Sequence, residues 1–193
     1  MKYLIIVDMQ NDFVSGPLGS QAAKDVAECI ALDVIPTLVD ENTCILCTMD
    51  THLEEDYLDS MEGKKLPTPH CLLGTVGWNM VDNVRQAIGK SEGILPTVPG
   101  FVRHGIVCKP TFGSVDLINA LDLLWENNED FEPTEFILVG VCTDICVISN
   151  AMILKASFPE VPIKVLSNYC AGTTKENHLN ALKAMEQCHI EVI

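Results

Sequence analysis

Tyr3-Leu4-Ile5-Ile6-Val7-Asp8, near the start of the chain, is an apolar run that ends in a carboxylate. A short run with no alternating polar residues is typical of a strand in a parallel sheet that helices cover on both faces. Comparable runs occur at 44–49, 105–108, 136–141, 163–166 and 189–193. Each of these segments is therefore predicted to be a buried strand.

Helical patterns separate the predicted strands, at about 22–39, 81–88, 114–125, 144–156 and 173–188. This alternation predicts βαβ units. We expect an α/β fold, a three-layer doubly wound sandwich with a six-stranded parallel sheet. The 193 residues fit a single domain spanning 1–193, in which a long loop at about 51–77 is the one extended irregular segment.

The composition limits the classes of partner. A net charge of −15 would repel nucleic acid and anionic membranes, so we expect neither, and instead a small-molecule substrate. Nine cysteines, an odd number that includes several inside apolar runs, favour reduced thiols over a disulfide framework. The first apolar run is too short for a signal peptide or a membrane span. We therefore predict a cytoplasmic protein.

Polar residues follow several predicted strands at the point where each strand stops. They are Asp8, then Asp50 and His52, then Lys109, and finally the segment 142–146. In an open parallel sheet, ligands bind beyond the carboxyl ends of the strands. The sequence therefore predicts one site at this edge of the sheet.

Cys146 is the candidate nucleophile, because it follows a predicted strand within the first turn of a predicted helix. Thr143 or Asp144 is predicted to cap that helix. The helix dipole is expected to lower the pKa of the thiol, with Asp8 as the base and Lys109 as the cation beside the thiolate. The alternative for Cys146 alone is a buried structural cysteine.

A metal site is predicted beside this nucleophile. Asp50 and His52 are two residues apart in an extended segment and can present side chains to one face. His70 lies at the far end of the long loop, and Glu62 or Glu55 is a candidate further ligand. Imidazole and carboxylate ligands suit zinc, iron or manganese, and we expect zinc.

Two cysteine pairs offer alternative redox or zinc motifs. Cys44 and Cys47 match the spacing C-x-x-C, but an odd offset in a strand places their thiols on opposite faces. Cys142 and Cys146 could form a redox pair. We favour Cys146 as a nucleophile and Cys142 as the source of a backbone N–H group.

These residues resemble the isochorismatase-like cysteine hydrolase superfamily, in particular its nicotinamidase-like, metal-containing branch. The resemblance covers nearly the whole chain and rests on residues 7–13, 50–52, 70–77, 109–112 and 140–147. It implies the isochorismatase-like hydrolase fold, an Asp8, Lys109, Cys146 triad and a cis peptide between Val141 and Cys142 that directs N–H groups at the oxyanion.

The resemblance further implies that Asp50, His52, His70 and possibly Glu62 hold a divalent metal, which in nicotinamidases binds the pyridine nitrogen of the substrate. By the same resemblance, the substrate contacts are Gln10, Phe13 and Trp78, and the protein is a homo-oligomer. The implied reaction is deamidation of nicotinamide.

One departure leaves the substrate open. Many nicotinamidases have an aromatic residue shortly before the His-Cys block, where this chain has residues 65–69, Lys-Leu-Pro-Thr-Pro. Phe13, Tyr57 or Trp78 could supply the missing wall. The alternatives are another small amide, carbamoyl or ureido substrate, or a non-catalytic metal-binding protein on the same fold.

Overall fold

A computed structural model describes residues 1–193. Its six strands form one sheet in the order β3-β2-β1-β4-β5-β6, and every neighbouring pair is parallel. The strands are β1 (Lys2–Val7), β2 (Thr43–Asp50), β3 (Ile106–Lys109), β4 (Glu135–Val141), β5 (Ile163–Ala171) and β6 (Glu191–Val192). The strand order reverses between β1 and β4, which is where such sheets open a ligand crevice.

Nine α-helices connect the strands. They are α1 (Asn11–Val14), α2 (Gln21–Cys29), α3 (Ile35–Leu38), α4 (Glu54–Tyr57), α5 (Met61–Lys65), α6 (Asp82–Lys90), α7 (Val115–Asn127), α8 (Ile148–Ser157) and α9 (Lys175–Gln187). A π-helical turn, Ile30–Val34, joins α2 to α3, another, Thr143–Val147, precedes α8, and a 3₁₀ turn covers Glu129–Phe131. Hydroxyl side chains cap α2, α5, α7 and α9 at Ser20, Ser60, Ser114 and Thr174.

Two hydrophobic cores lie on opposite faces of the sheet. In β1, Tyr3 and Ile5 contact the core formed with α7, α8 and α9, whereas Leu4 and Ile6 contact the core formed with α2, α3 and α6. Because successive side chains of a strand point to opposite faces, an apolar run serves both cores at once. This arrangement confirms the predicted three-layer α/β sandwich.

Gly140 allows β4 to approach β1 closely. Its φ is 122°, and a Cβ atom at this position would lie 2.1 Å from the carbonyl oxygen of Val7. Only glycine tolerates both conditions. The residue therefore sets the spacing of the two strands whose ends flank the crevice.

The predicted strands and longer helices are present, with shifts of a few residues at most of their ends. Two expectations about local structure were wrong. The loop at 51–77 contains the short helices α4 and α5, and an isolated bridge between His52 and Leu72 closes it. β5 continues to Ala171, beyond the predicted end at residue 166. None of the helices is long and apolar enough to cross a membrane.

Candidate active site

Asp8 stands at the carboxyl end of β1 and is completely buried. Its φ of 49° lies in the left-handed region, which is unusual for a residue with a side chain and turns the carboxylate into the crevice. Thr48 donates a hydrogen bond to Asp8 Oδ1 at 2.7 Å. Burial raises the pKa of Asp8, although the neighbouring Lys109 opposes this shift. A raised pKa makes a carboxylate a stronger proton acceptor, which suits a general base.

Lys109 is the last residue of β3 and is as buried as the hydrophobic core. Its Nζ lies 2.6 Å from Asp8 Oδ2, 3.7 Å from Asp50 Oδ1 and 3.7 Å from Cys146 Sγ. Burial alone would lower the pKa of Lys109, but the surrounding acidic groups, Asp8 first among them, together outweigh burial and the pKa is raised. The ammonium group therefore remains charged and joins the carboxylate to the thiol.

Cys146 lies in the π-helical turn Thr143–Val147 that follows β4. The predicted low thiol pKa was wrong. Burial, and then the charge of Asp8, raise the pKa of Cys146 well above the usual value, and Lys109 only partly opposes them. The resting group is therefore a neutral thiol.

The predicted helix cap was also wrong, because neither Thr143 nor Asp144 caps the turn. The Thr143 hydroxyl pairs with His178 Nδ1 at 2.8 Å, and Asp144 accepts a hydrogen bond from the backbone N–H of Thr173 at 2.8 Å. Both side chains thus reach across to the start of α9. They tie the loop that carries the nucleophile to the next crossover connection.

The peptide bond between Val141 and Cys142 is cis. The backbone N–H of Cys142 donates no hydrogen bond within the protein. Val141 and Cys142 both line the same cavity as Cys146. An unpaired N–H group at this place can donate to an anionic oxygen of a bound substrate.

Four side chains that suit a metal ion converge beside the thiol. Asp50, His52, Glu62 and His70 each offer a ligand atom, and these atoms all lie within 4.8 Å of one another. Asp50 Oδ2 is 2.9 Å from His52 Nε2 and 3.3 Å from His70 Nε2, and Glu62 Oε1 is 3.4 Å from His70 Nε2. Glu55 is exposed and lies outside this group.

The protonation of His70 supports the fit to a cation. His70 Nδ1 lies 3.0 Å from the carbonyl oxygen of Thr68, which can only accept, so Nδ1 carries a proton and Nε2 faces the two carboxylates. Burial lowers the pKa of His70, but hydrogen bonds to Asp50 and Glu62 outweigh it and raise the pKa to about 10. Two carboxylates therefore favour positive charge at this point, which a divalent ion would also supply.

Gln10 and Trp78 do not contact the cavity, contrary to expectation. Gln10 is fully buried. Its side-chain oxygen accepts a hydrogen bond from the backbone N–H of Asp50 at 2.7 Å, and its side-chain nitrogen donates to the carbonyls of Asp50 at 2.8 Å and Trp78 at 2.9 Å. Trp78 Nε1 donates to Thr51 Oγ1 at 2.9 Å. Both residues therefore brace the backbone that carries the Asp50 carboxylate.

Of the expected substrate contacts, Phe13 lines the cavity, with its ring 5.3 Å from that of His70. Tyr57 does not line it. The Tyr57 hydroxyl donates to the carbonyl of Leu66 at 2.8 Å and lies 3.1 Å from His70 Nδ1. Tyr57 therefore orients a candidate ligand and forms no wall.

The cavity has a volume of about 870 Å³. Its lining contains Cys146, Asp50, His52, Glu62 and His70 together with apolar side chains that sequence reasoning did not identify. The latter include Leu18, Met61, Leu66, Phe112 and Ile145. Phe112 could have been found, since it is the one aromatic residue close behind Lys109. The others carry no sequence signal that separates a cavity wall from a core contact.

Comparisons with known proteins identify the fold and match part of the chain to a family model. Residues 101–193 match the family model of the isochorismatase domain. The matched part contains Lys109 and Cys146, whereas Asp8 and the four candidate ligands precede it. A search of curated proteins found no matching sequence.

Solved structures share the whole fold at low identity. A nicotinamidase/pyrazinamidase from Bacillus subtilis is 22% identical, with a TM-score of 0.77 over 99% of this chain and 98% of that one. A pyrazinamidase from Pyrococcus horikoshii in complex with zinc is 20% identical, with a TM-score of 0.71 over 100% and 98% of the two chains. An N-carbamoylsarcosine amidase from Thermoplasma acidophilum is 18% identical, with a TM-score of 0.68 over 99% and 94%.

Residues 101–193 thus match the isochorismatase domain, and the chain as a whole shares the fold of these solved structures. Its structural neighbours include proteins named as nicotinamidases and as a carbamoylsarcosine amidase. The comparisons therefore leave the substrate to be inferred from the site.

Proposed function

We propose that the protein is a metal-containing cysteine amidohydrolase that converts nicotinamide to nicotinate and ammonia. One observation carries the proposal. Lys109 Nζ joins Asp8 at 2.6 Å to Cys146 Sγ at 3.7 Å, and Cys146 lines a cavity together with the four candidate metal ligands. Nucleophile, base and cation thus occupy one buried site, which is the arrangement that nucleophilic amide hydrolysis needs.

In the proposed reaction, Asp8 takes the thiol proton of Cys146, and the Lys109 ammonium stabilises the resulting thiolate. Sulfur then attacks the carboxamide carbon, and the Cys142 N–H donates to the oxyanion. Protonated Asp8 passes its proton to the leaving nitrogen, so that ammonia departs and a thioester remains on Cys146. Asp8 next removes a proton from water, which hydrolyses the thioester to nicotinate and restores the thiol.

Asp50, His52, Glu62 and His70 are proposed to hold a divalent metal, with zinc as the first candidate. The zinc complex of the Pyrococcus horikoshii pyrazinamidase and the mixed imidazole and carboxylate set support zinc, and iron or manganese would also suit these ligands. A metal bound here would supply a Lewis-acidic position for a ring nitrogen. Tyr57 and Thr68 would hold the His70 ring in place for it.

A second candidate function is hydrolysis of another small amide, carbamoyl or ureido compound by the same three residues. Two observations support this second candidate. Leu66 lines the cavity within the segment 65–69, where many nicotinamidases have an aromatic residue, and a carbamoylsarcosine amidase shares the fold. Homo-oligomerisation and a cytoplasmic location stay predictions from the sequence.

Ammonia release from nicotinamide tests the proposal. The zinc-loaded protein, a chelated sample and the variants Cys146→Ala and Cys108→Ala would be compared, where Cys108 is an exposed cysteine outside the site. We expect turnover that is lost in Cys146→Ala and kept in Cys108→Ala. Turnover with N-carbamoyl compounds but not nicotinamide would favour the second candidate, and turnover that survives Cys146→Ala would refute both.

A further inference from the structure

We propose that the preferred substrates are aromatic carboxamides that carry an apolar group on the ring, and that Met61, Leu66 and Phe112 bind this group. We call these three residues the apolar mouth. The inference rests on the proposed function, because it assumes that the reacting amide reaches Cys146. It adds a substrate class to that function.

Exposure separates the apolar mouth from the reacting groups. Met61, Phe112 and Leu66 are 71%, 45% and 36% exposed, whereas Cys146 and Lys109 are only 5% and 1% exposed. All five belong to or adjoin one cavity, so the chemistry lies at its floor and the large apolar side chains at its entrance. Apolar side chains gathered at a cavity gain most from a ligand that covers them.

Phe112 is held at a fixed position relative to the nucleophile. Asn150, which is buried, donates to the carbonyl of Phe112 at 3.2 Å and to the carbonyl of Cys146 at 2.8 Å. Its Oδ1 accepts from the N–H of Ser114 at 3.0 Å. One amide side chain thus joins the turn after β3 to the turn that carries the thiol.

The opposite wall is joined to the candidate metal ligands. Tyr57 donates to the carbonyl of Leu66 at 2.8 Å and contacts His70 at 3.1 Å. Gly63 lies so close to the backbone of Tyr57 that a Cβ atom would be 2.0 Å from its carbonyl oxygen. The backbone that carries Met61 and Leu66 is therefore braced, and a ligand would not have to order this backbone when it binds.

The size of the cavity also favours a substrate larger than nicotinamide. Its volume of about 870 Å³ is near the upper end of the range in which proteins enclose ligands of drug size. A single pyridine ring with one carboxamide would leave the apolar mouth exposed. The proposed function directs the carboxamide to Cys146 and the ring nitrogen to the side of the cavity that contains His70. Ring position 5 is meta to the carboxamide and to the ring nitrogen, so a substituent there would point away from Cys146 and from His70.

The test compares nicotinamide with 5-butylnicotinamide as substrates of the zinc-loaded enzyme. Burial of a methylene group is worth about fourfold in binding, so partial burial of the butyl chain should raise kcat/KM by about tenfold or more. We expect Phe112→Ala and Met61→Ala each to lower the ratio of the two kcat/KM values by at least about threefold. Leu179→Ala, an exposed apolar residue of α9 outside the cavity, is the matched control and should leave the ratio unchanged.

Hydrolysis of nicotinamide with no preference for the butyl compound would overturn the inference and leave the proposed function intact. Ammonia release from neither substrate would overturn both. Light scattering of the same variants covers the alternative occupant, a second copy of the chain. If Phe112→Ala and Met61→Ala change the oligomeric mass and not the substrate ratio, the apolar mouth is an interface and the inference is wrong.

Discussion

Replacement of Lys109 by methionine should destabilise the protein strongly, because it leaves the buried Asp8 carboxylate without its cation. Asp8 and Lys109 are 0% and 1% exposed, and their charged atoms are 2.6 Å apart. Removing one partner of a buried ion pair costs about 3–5 kcal/mol. Loss of the Lys109 charge should destabilise the Asp50 carboxylate less than that of Asp8, because in metal-free protein His52 and His70 remain 2.9 and 3.3 Å from the Asp50 carboxylate.

The loss should depend on pH, because Asp8 can become neutral by binding a proton. Relative to an unfolded pKa of about 3.9, this protonation costs about 5.6 kcal/mol at pH 8 and about 2.2 kcal/mol at pH 5.5. A carboxyl whose folded pKa is raised loses stability as the pH rises toward that pKa. We therefore expect Lys109→Met to lower the free energy of unfolding by about 3–5 kcal/mol at pH 8 and by about 2 kcal/mol at pH 5.5.

Urea unfolding in the presence of a chelator measures this effect at both pH values. The double variant Asp8→Asn/Lys109→Met should recover much of the loss, because no buried charge is left unpaired. Arg85→Met, which breaks the exposed pair with Asp82, is the matched control and should cost less than about 0.5 kcal/mol. A loss below about 1 kcal/mol at pH 8, or one that does not change with pH, would show that Asp8 does not depend on Lys109.

Three further predictions concern separate parts of the site. Tyr57→Phe should weaken zinc binding by about tenfold in a chelator competition, because His70 loses a hydrogen-bond partner. Alkylation of Cys146 by iodoacetamide, followed by mass spectrometry, should speed up by about tenfold per pH unit between about pH 6 and 8, because its thiol pKa is raised. Gly140→Ala should lower the free energy of unfolding by about 2 kcal/mol or more, whereas Gly89→Ala, in open space on α6, should raise it by about 0.5–1 kcal/mol.

Each of these predictions has an outcome that contradicts it. Unchanged zinc affinity in Tyr57→Phe would mean that Thr68 alone orients His70. An alkylation rate that levels off below pH 7 would show that the thiolate of Cys146 exists at rest. Equal effects of alanine at the two glycine positions would mean that the close approach of β4 to β1 is not required.

The fold could be predicted from the sequence because the clearest pattern, the short apolar runs, also reflects the burial that stabilises the sheet. Apolar runs without alternation, such as the run from Tyr3 to Val7, indicate strands covered on both faces, and the helical patterns between them require parallel pairing. Residues at strand ends then meet at one edge of the sheet. This rule alone brought together Asp8, Asp50, Lys109 and Cys146, which the structure places in contact or in one cavity.

The errors arose where the direction of a side chain or its solvation decides the outcome. Gln10 is adjacent to the site in sequence, but its amide turns inward to the backbone of Asp50, which no spacing rule indicates. The position of Cys146 near a helix start suggested a low pKa, whereas burial dominates the thiol. Aspartate is a common helix-capping residue, but the Asp144 carboxylate instead accepts a hydrogen bond from the backbone N–H of Thr173, which is distant in sequence.

The strand order has a consequence for how activity returns after denaturation. Asp8 follows β1, Lys109 ends β3 and Cys146 lies in the turn after β4. Because β2 lies between β3 and β1, their contacts require four strands in register. Pairing between distant segments closes long loops and is slow. We therefore expect refolding protein to regain its helical circular dichroism signal first and the ability to bind substrate last, so that turnover reports completion of the central sheet.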